Sequence, residues 1–532
     1  MNAEPDQIYD SVIVGGGMAG LVATYLLRDQ DVLLLEKDNR LGGRVESTTA
    51  GDITYNIGTQ WFAEEDTSFV HLVDELGIER IHHDPMKVPL AFFLGGELHN
   101  GLRFLMQPST LLAGLGMWSK SYRLSQIFQR SPDDPRWREL VSRSLAELQE
   151  GNESTFLDVV NTYLRAACVA KPERTSAGVG ALLMLDIFST GQMAFVTGGT
   201  QRITDAMAER LGDRVIDRSD VVDVTELDDV VTVRFRRDGA EHHVRSRAAV
   251  VATPPMIALD LVPDLPDWKR HALERVDYGP IIVVSLFFQR DIPWQRWHGM
   301  LCDDTVFSGA ADATYGTADD ENPANPIIYN FFVSIPPDEK DLIRETLAKS
   351  DDEIISLVVD DFTRIMSGHD VDRHLIDAKV SRYPIGELEL SSEYYLELLP
   401  HLPTPVGNIH FCGDYTDPRS FLEGAALSGF RVARELGSRH VVSEQDELRF
   451  ANPPKWGAVG LVALGSATLL AGGGLRLGGA LGRATSVAGG TLLAATAAFP
   501  FLLPPHRGIY KALLGGTALI GGLAGSAARL VR

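Results

Sequence analysis

The amino-acid sequence predicts an α/β fold in which a parallel-sheet domain carries an inserted α+β domain and a C-terminal hydrophobic helical tail. Three observations predict it. The N-terminus contains a strand, a glycine-rich turn, a helix and a second strand within about 30 residues. The middle of the chain has helix-like apolar periodicity, and long uncharged segments follow residue 455. A chain of 532 residues is too long for one core, so several domains are expected.

The first element is a β-branched run that leads into a glycine-rich turn. Gly15, Gly17 and Gly20 have G-x-G-x-x-G spacing directly after the predicted strand at residues 11–14. This spacing permits a tight turn, close approach of the backbone to a diphosphate, and packing of a helix on the strand. A second apolar run ends in Glu36, where the acceptor for a ribose hydroxyl is expected. The unit therefore predicts a Rossmann-like nucleotide site with the diphosphate at a helix N-terminus.

The amino-acid composition limits which binding partners and which cellular compartment are expected. The formal net charge is −23, and the residues after 450 include seven basic but no acidic ones, so the body of the protein is strongly acidic. It lacks the basic footprint that nucleic acid requires. Three widely spaced cysteines predict neither disulfides nor a metal site, and no secretory signal opens the chain. We therefore expect the body of the protein in the cytoplasm.

Two further segments resemble a known family. Leu-Gly-Gly-Arg at residues 41–44 follows Glu36, and Gly413-Asp414 ends a predicted buried strand shortly before a glycine-containing helix. Together with the glycine motif, these segments are similar to the flavin-containing amine oxidase superfamily, which includes monoamine oxidases, protoporphyrinogen oxidases and carotenoid desaturases. The resemblance covers about residues 8–440 and implies FAD, which we expect to be bound noncovalently because no cysteine lies near Tyr383 to tether it as in monoamine oxidases.

The resemblance also implies cofactor contacts. It places Arg44 against the diphosphate, Gly413 and Asp414 at the ribityl phosphate, and the N-terminus of the next helix at the flavin ring. A guanidinium suits a diphosphate because it donates in a fork. The expected FAD-binding residues are Gly15, Gly17, Met18, Ala19, Gly20, Glu36, Lys37, Gly43, Arg44, Gly58, Thr59, Gln60, Trp61, Val221, Gly413, Asp414, Leu422 and Gly424.

The order of these motifs divides the chain between two domains and a tail. Helix-like periodicity at residues 110–129, 156–168 and 177–188 belongs to the inserted domain. We expect the Rossmann-like FAD-binding domain at residues 1–84, 195–262 and 395–440, the substrate domain at residues 85–194 and 263–394, a linker at 441–454 and the helical tail at 455–532.

The substrate side departs from amine oxidases. Their strand corresponding to residues 281–288 carries a lysine that holds a water at the flavin, whereas this chain has Val283 and Val284, of which only one can face the flavin. Phe421 fills one of the two aromatic positions expected around an amine, and Tyr383 is the candidate for the other. Val283, Val284, Tyr383 and Phe421 are therefore the candidates for the lining of an apolar pocket. No catalytic base is assigned.

The tail predicts insertion into a membrane. Residues 457–475 and 484–503 are uncharged and long enough to span a bilayer, and residues 512–528 form a shorter third segment. We therefore expect an integral membrane protein in contact with membrane lipids through two or three helices. A buried helical hairpin of a soluble protein is the alternative.

The sequence as a whole favours an FAD-dependent oxidoreductase that desaturates a lipid-soluble substrate, such as an isoprenoid or a porphyrinogen, by hydride transfer to flavin N5. The expected electron acceptor is oxygen, a quinone or another molecule. The first alternative is an amine oxidase that releases ammonia and hydrogen peroxide. The second is a prenyl-lipid carrier of the same fold without FAD, against which the complete glycine motif, Glu36 and Arg44 argue.

Overall fold

Two seven-stranded sheets form the frame of the protein in the computed structural model. The structure describes residues 7–63, 68–82, 89–105, 107–128, 132–151, 154–188 and 193–440. Nearly all of them belong to one unit, formed by residues 1–81, 88–187 and 193–451. No helix within those described ranges is both long and apolar enough to cross a membrane. The predicted linker and membrane tail, residues 441–532, lie outside the described residues, so the tail stays a prediction.

Strands and helices both occur along most of the described chain, often in runs of several strands or several helices. In chain order the strands are β1 (Ile8–Val14), β2 (Val32–Leu35), β3 (Ser47–Ala50), β4 (Ile53–Asn56), β5 (Phe62–Ala63), β6 (Arg80–His82), β7 (Leu90–Leu94), β8 (Glu97–Asn100), β9 (Met193–Val196), β10 (Val215–Ile216), β11 (Asp220–Leu227), β12 (Val230–Arg237), β13 (Ala240–Val251), β14 (Tyr278–Phe288), β15 (Gly299–Cys302), β16 (Gly309–Asp312), β17 (Ile327–Ser334), β18 (Leu375–Leu388) and β19 (Ile409–Phe411). The helices are α1 (Met18–Leu26), α2 (Ser68–Leu76), α3 (Gly101–Leu105), α4 (Pro108–Phe128), α5 (Pro135–Val141), α6 (Leu145–Gln149), α7 (Thr155–Cys168), α8 (Ala177–Phe188), α9 (Gln201–Leu211), α10 (Pro255–Leu261), α11 (Asp267–Glu274), α12 (Lys340–Ala348), α13 (Asp351–Ile365) and α14 (Phe421–Glu435).

The first sheet is built around β1, which pairs in parallel with β2 on one side and β13 on the other. Val14 lies beside Leu35 and Val251, so three strand ends meet at one edge. Strand β19 extends this edge by pairing in parallel with β13, while β11, β12 and the first half of β13 form an antiparallel meander. Ligands of open α/β sheets bind at such an edge of carboxyl ends.

Helices α1 and α14 cover this sheet together. The two helices approach closely at Gly429, where an added Cβ would lie 2.7 Å from the carbonyl oxygen of Ala19. Leu21 and Val22 of α1 and Phe430 of α14 belong to the same buried core as β1 and β2. The first and last helices of the described chain therefore form one packed layer.

The second sheet has the strand order β18, β14, β17, β16, β15, β7 and β8. Its strands come only from the segments predicted for the substrate domain, although the exact domain boundaries stay a prediction. One face of β14 is apolar and packs against α13 in a core that contains Ile282, Val284, Leu286, Phe288 and Phe362. The other face points toward the hairpin formed by β3 and β4, because Phe287 packs against Tyr55 with ring centroids 5.7 Å apart.

Candidate active site

The turn after β1 has free space only where the motif predicts a ligand. Added Cβ atoms would collide with backbone at Gly15, 2.9 Å from the oxygen of Ala252, and at Gly20, 2.0 Å from the oxygen of Gly15. At Gly17 no heavy atom of the described residues lies within 4 Å of that position. Gly17 is also the N-cap of α1 and has no side chain to cap it. The first N–H groups of α1, including those of Met18 and Ala19, therefore face a space that suits a diphosphate.

Glu36 and the segment after it close around this turn. The two carboxylate oxygens of Glu36 accept hydrogen bonds from the backbone N–H groups of Gly16 at 2.6 Å and Asp38 at 2.9 Å. Gly43 lies against Gly17, with 3.4 Å between its added Cβ and the Gly17 Cα. Of the other predicted contacts, Lys37 is exposed, and Val221 is buried in β11.

Arg44 and Asp414 meet in the structure, although they come from opposite ends of the described chain. Arg44 Nη2 lies 2.8 Å from Asp414 Oδ1, and Arg44 Nη1 donates to the carbonyl oxygen of Gly386 at 2.5 Å. Tyr278 donates its hydroxyl proton to the same Oδ1 at 2.9 Å. Burial raises the pKa of Tyr278 well above its usual value, so it acts as a donor at all ordinary pH values.

Glu387 is a carboxyl beside this ion pair that the sequence analysis missed. Burial raises its pKa to about 8, and the charge of Asp414 adds to this effect while that of Arg44 opposes it. Its Oε2 atom is buried and has no hydrogen-bond partner in the described chain. Glu387 is therefore protonated at neutral pH, and the cluster of Arg44, Asp414 and Glu387 is close to neutral.

Three buried polar atoms without partners lie in the segment that follows β19. They are Asp414 Oδ2, Tyr415 Oη and Ser420 Oγ, and none has a hydrogen-bond partner among the described residues. Buried polar groups are almost always hydrogen-bonded in native proteins. A polar ligand that enters this segment would satisfy them, which fits the ribityl and phosphate groups of FAD.

The predicted turn at Gly58 lies directly on Arg44. An added Cβ at Gly58 would be 2.0 Å from the carbonyl oxygen of Arg44, which also accepts from the N–H of Thr59 at 3.1 Å. Trp61 follows the turn and packs against Phe195 with ring centroids 6.0 Å apart.

A polar chain links this turn to the second sheet. Ser285 donates to Asn330 Oδ1 at 2.7 Å, and Asn330 Nδ2 donates to Gln60 Oε1 at 3.2 Å. Gln60 in turn donates to the carbonyl oxygen of Gly58 at 2.7 Å. Hydrogen bonds from the second sheet thus hold the turn at Gly58 in place.

Two of the predicted pocket residues share the face of the second sheet that points toward this turn. Val283 lies on the same face as Ser285, and Tyr383 does so because its strand neighbour is Ile281. Tyr383 donates its hydroxyl to Glu46 Oε2 at 2.9 Å. Val284 points the opposite way and is buried in the core with α13, so strand alternation removes it from the pocket wall. The sequence analysis missed Phe332, a half-buried ring directly opposite Val283.

The start of α14 has an unusual backbone. Ser420 has φ 56° and ψ −159°, and Phe421 has φ 58°, although neither is glycine. Such conformations cost roughly 1–3 kcal/mol each and cluster at functional sites. Phe421 and Leu422 are half-buried, and the N–H of Gly424 donates to the carbonyl oxygen of Ser420 at 2.7 Å.

Cys412 lies in the site but is not suited to a covalent link. The side chain is fully buried, and burial raises the pKa of its thiol to about 12. A thiol in such surroundings is inert because the thiolate is the reactive form. This agrees with noncovalent binding of the cofactor.

Comparison with known proteins agrees with this geometry. Residues 18–437 match the family model described as flavin containing amine oxidoreductase. A probable flavin-containing monoamine oxidase A of Dictyostelium discoideum is 25% identical over 475 residues, which cover 81% of this chain and 97% of that protein. A flavin-containing amine oxidase B of Sus scrofa is 22% identical over 477 residues, covering 84% of this chain and 89% of the relative.

Solved structures of similar fold include two amine oxidases. Putrescine oxidase, in its wild-type form bound to putrescine, has a TM-score of 0.66 with 21% identity, covering 81% of this chain and all of that one. Cyclohexylamine oxidase from Brevibacterium oxydans has a TM-score of 0.66 with 18% identity, covering 81% of this chain and 99% of that one. These matches confirm the mixed α/β fold.

Proposed function

This chain belongs to the family of flavin-containing amine oxidoreductases and is an FAD-dependent oxidoreductase, and we propose that it oxidises an amine, with molecular oxygen as the electron acceptor. The observation that carries the proposal is the extent of the family match, which runs from residue 18 to residue 437 and includes the later cofactor segments and the substrate face of the second sheet. The relatives named above are amine oxidases. They favour amine oxidation over the desaturation of a lipid-soluble substrate that the sequence alone suggested.

The apolar substrate face is compatible with an amine. An amine must be neutral to be oxidised, and burial of an unpaired ammonium in apolar surroundings costs several kcal/mol. A wall of Val283 and the ring of Phe332 therefore favours the neutral amine, and Phe421 and Tyr383 are the candidates for aromatic contacts with it. The absence of a lysine at Val283 does not by itself argue for a hydrocarbon substrate.

The residues of this chain would hold FAD in the following way. The N-terminus of α1 at Gly17 receives the diphosphate, Glu36 accepts from the ribose, and Arg44 and Asp414 contact the linking phosphate and ribityl groups. FAD supplies the ring that accepts a hydride from the substrate carbon. The protein would orient the amine on the Val283 face and keep water away from it while the hydride leaves, and water would afterwards hydrolyse the resulting imine to a carbonyl compound and ammonia.

Anaerobic titration of the purified yellow protein tests the proposal. We expect primary amines to bleach the flavin absorbance, and readmitted oxygen to restore it with formation of hydrogen peroxide and ammonia. A panel of short alkyl, arylalkyl and cyclic amines and diamines covers the classes named by the relatives. If no amine bleaches the flavin while an isoprenoid lipid does, the desaturase alternative is correct and the proposal is wrong.

A further inference from the structure

Ser420 has a backbone conformation that is otherwise almost restricted to glycine. Its φ of 56° and ψ of −159° place it in the region where a Cβ is strongly disfavoured. The conformation is held from both sides, because the N–H of Ser420 donates to Asp417 at 3.2 Å and its carbonyl oxygen accepts from Gly424 at 2.7 Å. A glycine would adopt this turn without strain.

Helix capping does not explain the serine. Serine is a favoured N-cap because its hydroxyl usually accepts from the first turn of the helix. At the start of α14 the Ser420 side chain makes no such bond. The side chain is 1% exposed, and its Oγ has no hydrogen-bond partner among the described residues. Ser420 thus combines a strained backbone with a buried hydroxyl that makes no hydrogen bond to the described residues.

The missing partner has to approach the N-terminus of α14. This helix is 15 residues long, and its first N–H groups have no side-chain cap, so its positive end is directed at the same region as the Ser420 hydroxyl. Two more unpartnered buried atoms, Asp414 Oδ2 and Tyr415 Oη, belong to the same short segment. The N-terminus of α14 and the hydroxyl of Ser420 both favour a hydrogen-bond acceptor that carries negative charge.

We propose that Ser420 is a positioning residue for FAD, and that its hydroxyl donates a hydrogen bond to an acceptor atom of the bound cofactor. With this backbone the hydroxyl makes no hydrogen bond to its own helix, which leaves it able to donate to the cofactor. Because the flavin gains negative charge on reduction, this donor stabilises the reduced form more than the oxidised form. The inference depends on FAD and not on the identity of the substrate.

Two substitutions in the full-length holoenzyme distinguish the effect of the Ser420 hydroxyl from the effect of its backbone strain. Ser420→Ala removes only the hydroxyl, whereas Ser420→Gly removes the hydroxyl and also relieves the backbone. We expect both variants to release FAD about 5- to 15-fold faster than wild type, measured by the recovery of FAD fluorescence after dilution. We also expect both to shift the midpoint potential of the bound flavin to more negative values.

The two variants differ in stability. Ser420→Gly should melt about 2–5 °C higher than Ser420→Ala, because only the glycine relieves the backbone. Ser438→Ala is the control, since Ser438 lies beyond the far end of α14 and its hydroxyl donates to the carbonyl oxygen of Leu26 at 2.6 Å. It should leave the potential and the FAD release rate unchanged. The proposal is wrong if Ser420→Ala has the wild-type potential and release rate.

Discussion

The guanidinium of Arg44 lies 2.8 Å from the carboxylate of Asp414, and this ion pair joins the first and last segments of the candidate cofactor site. The Asp414 side chain is 5% exposed and that of Arg44 is 35% exposed. The acid is thus the buried partner, and its carboxylate contacts both the arginine and the hydroxyl of Tyr278. We therefore expect the pair to contribute to the fold as well as to the proposed binding of FAD.

Loss of the arginine should destabilise the protein as well as weaken FAD binding. Arg44→Leu leaves the buried charge of Asp414 without its main partner, so we expect the free energy of unfolding to fall by about 2–3 kcal/mol and the bound FAD to be lost. Arg237→Leu is the matched control, because Arg237 is 32% exposed, much like Arg44, but its partner Asp217 at 3.7 Å is 44% exposed, so its loss should change stability by less than about 0.5 kcal/mol. Urea unfolding and flavin absorbance measure the two effects. If both variants kept the same free energy of unfolding and the same flavin content, this role of Arg44 would be contradicted.

Replacement of glycine by valine should have different effects at two positions of the glycine turn. Gly17→Val should fold, because the space beside Gly17 is open in the protein itself, but the purified protein should be colourless since the methyl groups occupy the path of the diphosphate. Gly20→Val should fail to accumulate as soluble protein, because its Cβ would lie 2.0 Å from the Gly15 oxygen. Solubility and flavin content after purification measure both. A yellow Gly17→Val protein would show that the cofactor binds elsewhere.

Glu387 should make the folded protein less stable as pH rises. The folded state holds this proton up to a pKa of about 8, whereas the unfolded chain loses it near 4.5. The stability from protonated Glu387 is therefore complete below pH 4.5 and is lost as pH rises through 8. We expect the melting temperature of Glu387→Gln to fall less than that of wild type between pH 5 and 8. Glu241→Gln, which changes an exposed carboxylate, should follow the wild-type curve; parallel curves for all three proteins would exclude this effect of Glu387.

The two valines of β14 should respond differently to the same isosteric change. Val284→Thr introduces a hydroxyl into the apolar core beside α13 and should lower stability by about 1–3 kcal/mol while leaving the KM for amines unchanged. Val283→Thr lies on the face of Ser285 and Asn330, so it should keep the stability but raise the KM for an apolar amine about fivefold. Thermal melting and steady-state kinetics measure both. If Val284→Thr alone changed the KM, the assignment of the two faces would be reversed.

The cofactor side of the site could be predicted from sequence because its signals are local. The glycine spacing, Glu36 and the Leu-Gly-Gly-Arg segment each act through residues close together in the chain, and the structure brings them together. The predicted helices at residues 110–129, 156–168 and 177–188 correspond to α4, α7 and α8 for the same reason, since amphipathic periodicity is local.

The rest of the site depends on the pairing of distant strands. Glu387 lies in β18, which has few buried residues and therefore no apolar alternation to reveal it. Phe332 can be assigned to the substrate face only once its register opposite Val283 is known. The sequence likewise contains no sign that Ser420 adopts a left-handed backbone, because serine is an ordinary residue at the start of a helix.

The packing of α14 on α1 has a consequence for biosynthesis. The ribosome produces Gly17 and Glu36 early, but the strand β19, Asp414 and the helix that lies on Ala19 emerge only near the end of the described chain. Until then β13 has an open edge and α1 an uncovered apolar surface. A nascent chain that stops before residue 409 should therefore remain a client of chaperones, and cofactor loading should begin only after β19 and α14 have been synthesised.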